Sequence, residues 1–75
     1  MRYTVLISDN IDDRAITMLK GKSELDVVYN GKLSREDTLA AVPDAHAMII
    51  RSGTKANAEL LDAAENLKVI VRAGV

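Results

Sequence analysis

The sequence predicts an α/β fold, a parallel sheet wrapped by helices in the order βαβαβαβ. Three observations predict it. Four short runs rich in β-forming residues, at 3–7, 24–29, 47–50 and 68–71, alternate with three helical stretches. The connections are short, so each helix is a crossover between neighbouring strands and the sheet is parallel. The first, third and fourth runs are nearly unbroken in apolar character, as strands covered on both faces are.

Tyr3 to Ile7 forms the first strand and stops at Ser8-Asp9-Asn10. Asn10 is the expected cap of the first helix, with Asp12 and Asp13 in a first turn that favours negative charge. Ile11, Ala15, Met18 and Leu19 recur at helical spacing, and Lys20-Gly21-Lys22 closes the helix with cations and a permissive residue. Leu25, Val27 and Val28 make a second, more exposed strand. Asn30-Gly31 is a turn signal. Ser34, with Glu36 and Asp37 behind it, opens a helix there rather than a returning strand. Leu39 to Val42 continue that helix and Pro43 ends it. Ala47 to Ile50 is short enough for a central strand and runs into Arg51-Ser52-Gly53-Thr54. Asn57 is the expected cap of a third helix through Ala58, Leu60, Leu61, Ala63 and Ala64, and Asn66 suits a left-handed exit. Lys68 to Val71 is the fourth strand and ends, like the third, in an arginine before small residues, Arg72-Ala73-Gly74.

The weak second strand belongs at an edge, which gives the flavodoxin-like order 2-1-3-4. That order leaves the apolar fourth strand as a bare edge, which proteins normally cover or charge. The sheet is therefore expected to be incomplete on its C-terminal side. Residues 1–75 read as one domain, the front portion of a longer polypeptide or one whose edge a partner covers.

Composition excludes several classes. Cysteine is absent, so disulfides and thiolate metal sites are excluded and a cytoplasmic location is expected. A net charge of −1 without a basic run points away from nucleic acid and from anionic membranes, and the two tyrosines make no stacking platform. No apolar run approaches the roughly 20 residues of a membrane helix. The first residues enter a strand directly, unlike a signal peptide.

In an open α/β sheet, ligands sit beyond the carboxyl ends of the strands. The predicted order brings Ser8 and Asp9, then Arg51 to Thr54, then Arg72 to Val75 to one rim. Two arginines on one rim repel unless an anion lies between them. A charge-assisted, bidentate contact to a carboxylate or phosphate answers that need, and Gly53 and Gly74 allow close backbone approach. The alternative is an acid such as Asp9 neutralising one arginine. Other constellations fail. Gly21-Lys22-Ser23 lacks the earlier glycine of a phosphate loop, that position being Ile16, and it sits at a helix end. No G-x-G-x-x-G dinucleotide fingerprint occurs. His46 is the sole histidine and is assigned a structural or surface role. Arg51 occupies the position where a phosphoacceptor domain needs an aspartate.

Three stretches together resemble the D-isomer-specific 2-hydroxyacid dehydrogenases: Val5-Leu6-Ile7-Ser8-Asp9, then Ile49-Ile50-Arg51-Ser52-Gly53-Thr54-Lys55, then Ala63 through Val75, which includes Arg72-Ala73-Gly74-Val75. The resemblance covers the whole chain. It implies the first part of a substrate-binding domain. Arg51 and Ser52 would meet the anionic groups of a small 2-hydroxy acid or 2-oxo acid, and Arg72, Ala73, Gly74 and Val75 would belong to a loop whose backbone N–H groups meet its carboxylate. Within the family the resemblance is to members that oxidise 3-phosphoglycerate in serine biosynthesis with NAD, as homo-oligomers. The NAD-binding domain and its catalytic residues are absent from these 75 residues, so no turnover is expected of them alone. The alternatives are a stand-alone anion-binding or regulatory module of the same flavodoxin-like form, another D-2-hydroxyacid dehydrogenase, or a structural piece whose role is dimer contact.

Overall fold

The computed structural model describes residues 2–29, 31–51 and 53–73. It contains β1 (Tyr3–Ile7), α1 (Asp13–Lys20), β2 (Leu25–Tyr29), α2 (Arg35–Ala41), a 3-10 turn (Val42–Asp44), β3 (Ala47–Ile50), α3 (Ala58–Ala63) and β4 (Val69–Arg72). The four strands form one sheet in the order β2-β1-β3-β4, every pair parallel, as the sequence predicts.

Strand alternation builds two apolar layers. Leu6, Met48 and Ile50 pack with Val42, Ala45 and Leu60 under α2, the 3-10 turn and α3. Val5 and Ile7 pack with Ile16 of α1 on the opposite face, flanked by Ile11, Leu19 and Ile49. Full burial of a residue such as Leu60 contributes roughly 1.5–3 kcal/mol. β1 and β3 are the central strands. β4 is an edge, with Val69 50% and Val71 51% exposed, so its apolar sequence does not place it inside the sheet.

Several local expectations change. The first helix is capped by Asp12, whose side chain accepts from the Arg14 N–H, while residues 10–11 stay outside the helix. Asn10 instead accepts a hydrogen bond from the Tyr29 hydroxyl at 3.3 Å. Ile16 is the buried residue of this helix and Met18, expected on its apolar face, is 66% exposed. Gly21 closes α1 in ordinary right-handed geometry, φ −74°, with its N–H on the Thr17 carbonyl and the Lys22 N–H on the Leu19 carbonyl, each at 3.1 Å. As expected, Pro43 follows the end of the second α-helix, which stops at Ala41 with Val42 as its C-cap. It lies in the 3-10 turn, where its fixed φ and missing N–H are tolerated. Asn57 caps α3 as expected, accepting from Leu60 N–H at 3.2 Å, and Ser34 caps α2. Asn66 takes no left-handed conformation; its side-chain amide donates to the Pro43 carbonyl at 3.0 Å. Among the described residues the one positive φ belongs to Gly31, at 80°, in the turn after β2. None of the helices described is long and apolar enough to cross a membrane.

Candidate functional site

β1 and β3 are neighbours in space but not in sequence. The chain leaves β1 toward β2 and returns past it to β3, so the loops at their carboxyl ends diverge. Such a switch point is where open α/β sheets place ligands. Here Asp9, Asn10, Lys32, Arg51 and Gly53 line an open, shallow cavity of about 290 Å³.

Hydrogen bonds fix its walls. The Arg51 backbone N–H donates to Asp9 Oδ2 at 2.7 Å, and the Arg51 guanidinium Nη1 donates to the Asn10 carbonyl at 3.3 Å. Ser8 Oγ and Thr54 Oγ1 lie 2.8 Å apart. The Leu33 N–H donates to the Ser8 carbonyl at 2.9 Å, tying the turn that carries Lys32 to the end of β1. Asp9 is 3% exposed. Ion pairs among the described residues join Arg2 to Asp26, Arg14 to Asp12 and Arg35 to Glu59. Arg51 takes part in none of them. The alternative in which Asp9 neutralises Arg51 is therefore not what forms, because the carboxylate bonds the backbone instead. Arg51 and Lys32 leave the cavity with two cations against one buried carboxylate.

The pair of arginines expected on one rim does not come together on one face. Arg72 pairs with Ile50 across the β3–β4 ladder. Side chains alternate along a strand, so Arg72 lies on the face of Ile50 and Ile70, beside the α2/α3 layer. Arg51 lies on the other face with Ile49, Val71 and Ala73, where these residues, Ile11, Asp12 and Ala15 line a second cavity of about 330 Å³. A one-residue offset between two strand ends is enough to separate the guanidinium groups. The Ala73 N–H is also engaged, donating to the Ile50 carbonyl at 2.8 Å, so it continues the ladder rather than facing a ligand. Ser52, Gly74 and Val75 lie outside the described residues.

Sequence reasoning missed Lys32 and Arg35. Lys32 follows Asn30-Gly31, a pair that in sequence signals only a turn. Arg35 braces the loop after β3: it donates to the Lys55 carbonyl at 2.8 Å, to the Asn57 side chain and to Glu59 at 3.2 Å. An arginine in the first turn of a helix, where positive charge is disfavoured, was the available signal. His46 is structural: its Nδ1 accepts the Thr4 N–H at 2.9 Å and its ring meets Tyr3 edge-on at 5.5 Å. Away from the switch point, hydrogen bonds from Arg14 hold the Asp12 carboxyl below the usual carboxylate range. The Arg2 side chain does the same for Asp26, and Asp26 in turn raises the Arg2 guanidinium. Among the described residues no cluster of histidine and acidic side chains could hold a metal.

An open parallel sheet with helices on both faces and, among the described residues, an arginine without an acidic partner at its switch point define an α/β domain. The chain belongs to the D-isomer-specific 2-hydroxyacid dehydrogenases: the profile of that family's catalytic domain matches residues 5–75. It is similar to the hydroxypyruvate reductase of Thermotoga maritima, 35% identical over 74 residues, covering 99% of this chain and 24% of that protein. It is also similar to the D-3-phosphoglycerate dehydrogenases of Archaeoglobus fulgidus, 42% identical over 71 residues, and of Homo sapiens, 41% over 70 residues. Those matches cover 95% and 93% of this chain but 13% of each relative. Among solved structures, the PH0520 protein of Pyrococcus horikoshii superposes with a TM-score of 0.76 at 27% identity, over 96% of this chain and 21% of that one. The chain thus spans about a quarter or less of the relatives it matches.

Proposed function

We propose that this chain is the N-terminal part of the substrate-binding domain of an NAD-dependent dehydrogenase that oxidises 3-phosphoglycerate to 3-phosphohydroxypyruvate in serine biosynthesis. The observation that carries the reading is the Arg51 guanidinium, free of any acid, in a cavity at the β1/β3 switch point. Similarity to proteins named D-3-phosphoglycerate dehydrogenase supports the choice of substrate. Arg51 binds an anionic group of the substrate and orients it, with Ser52 beside it. Gly74 and Val75 supply backbone N–H groups to the carboxylate, and Arg72 and Ala73 are the strand end that carries that loop. The described residues do not fit NAD: the chain has no glycine-rich fingerprint, so the cofactor belongs to another domain of the polypeptide. A cofactor held there would supply the hydride acceptor for oxidation at C2 of the substrate. The protein acts in the cytoplasm as a homo-oligomer, and the exposed β4 edge is where further polypeptide continues the sheet.

The test is NADH formation from 3-phosphoglycerate and NAD by a polypeptide carrying these residues together with a dinucleotide-binding domain, and by residues 1–75 alone. We expect turnover from the first and none from the second. Arg51→Ala in the active protein should lower kcat/KM by about 1.5–3 kcal/mol, the worth of a charge-assisted contact. Hydroxypyruvate with NADH is the comparison substrate, prompted by the Thermotoga maritima relative. Preference for it would reassign the substrate within the family. Specific binding of phosphoglycerate by a protein that never turns it over would favour a regulatory anion-binding module.

A further inference from the structure

Asp9 is the one ionisable side chain among the described residues that is buried, and it sits in the wall of a cavity assigned to anions. A carboxylate there opposes an anionic guest, so recognition by charge does not account for it. Its contacts do. Oδ2 accepts the Arg51 N–H at 2.7 Å, a charge-assisted distance. Oδ1 is wedged against Gly53: a Cβ on that residue would lie 2.5 Å from Oδ1 and 3.3 Å from Cγ. The carboxylate therefore holds the turn after β3 through the Arg51 N–H, and the missing Cβ at Gly53 leaves room for its other oxygen. Ser8 holds the far end of the same turn through Thr54, whose N–H donates to the Arg51 carbonyl at 3.3 Å. The Arg51 guanidinium then folds back onto the Asn10 carbonyl, one residue beyond Asp9. The Lys32 side chain borders the same turn, its Cε 3.0 Å from that Cβ position.

We infer that Asp9 is a positioning residue for Arg51: its buried carboxylate fixes the turn from which the guanidinium reaches the ligand. The inference rests on the reading that Arg51 binds the substrate's anionic group. The test is a double-mutant cycle on the polypeptide carrying these residues, with 3-phosphoglycerate as probe and Kd as readout. Asp9→Ala should weaken binding about fivefold or more when Arg51 is present, and less than about twofold in the Arg51→Ala background, because contacting residues couple. Asp9→Asn keeps an acceptor oxygen and should restore most of the affinity. Where Asp9→Ala does not fold, Gly53→Ala, whose methyl displaces the carboxylate, replaces it in the cycle with the same expectation. Equal weakening in both backgrounds, or no weakening, overturns the role of Asp9 while the Arg51 site stands. No effect of Arg51→Ala on binding overturns the site itself, and the inference with it.

Discussion

Replacing Gly53 by alanine separates this packing from a generic loop. Gly53 has no positive φ, so on backbone grounds alone alanine would stabilise the chain by about 0.4–1 kcal/mol by restricting the unfolded state. The structure gives the opposite sign. The new methyl would stand 2.5 Å from Asp9 Oδ1, and Asp9 is buried with its other oxygen on the Arg51 N–H. The carboxylate must leave, which loses a charge-assisted hydrogen bond of about 1.5–3 kcal/mol. Set against the unfolded-state gain, the net cost is about 1–2 kcal/mol, equivalent to a fall in Tm of about 4–16 °C for a domain of this size. Urea unfolding followed by circular dichroism measures it. Gly21→Ala is the internal control: its Cβ would approach nothing closer than 3.4 Å and its φ is −74°, so it should be neutral or stabilising. A Gly53→Ala chain as stable as the wild type would refute the Asp9 wedge.

Leu60→Ala removes a fully buried side chain from the α2/α3 layer and should cost about 2–5 kcal/mol in the same urea experiment. Asn57→Ala removes the cap of α3 and an acceptor for Arg35; we expect a loss of about 0.5–2 kcal/mol. The carboxyls of Asp12 and Asp26 are held below their ordinary range, so their unfolded forms bind protons first as pH falls. Their contribution is complete above the unfolded carboxylate value and fades as pH drops through the folded one. Carboxyl-carbon NMR titration should show both shifted downward, with the Asp26 shift lost in Arg2→Ala.

The fold was legible because its cause is carried by short segments. The β-forming runs at 3–7, 24–29, 47–50 and 68–71, alternating with helices, make the parallel order readable, although the apolar fourth run lies at an edge. The Asn57 and Ser34 caps were readable for the same reason, as a local side chain meeting a local N–H. What escaped depends on phase. Asn10 and Asp12 both suit a cap; in the fold Asp12 takes that place and Asn10 accepts from the Tyr29 hydroxyl, a partner brought by β2. The sheet order was readable, but the one-residue register that pairs Arg72 with Ile50 was not, and that register turns Arg51 and Arg72 to opposite faces. The Asp9–Gly53 contact joins residues on different strand ends, and no spacing in the sequence announces it.

The central claim is that the Arg51 guanidinium, aimed from the switch point, is the group that meets the anion. The most direct measurement follows the Arg51 Nε–H by NMR while 3-phosphoglycerate is added, with Arg2, paired to Asp26 at the other end of the sheet, as reference. We expect a saturable shift at Arg51, none at Arg2, and loss of the binding in Arg51→Ala. A silent Arg51 beside saturable changes elsewhere in the chain would contradict it.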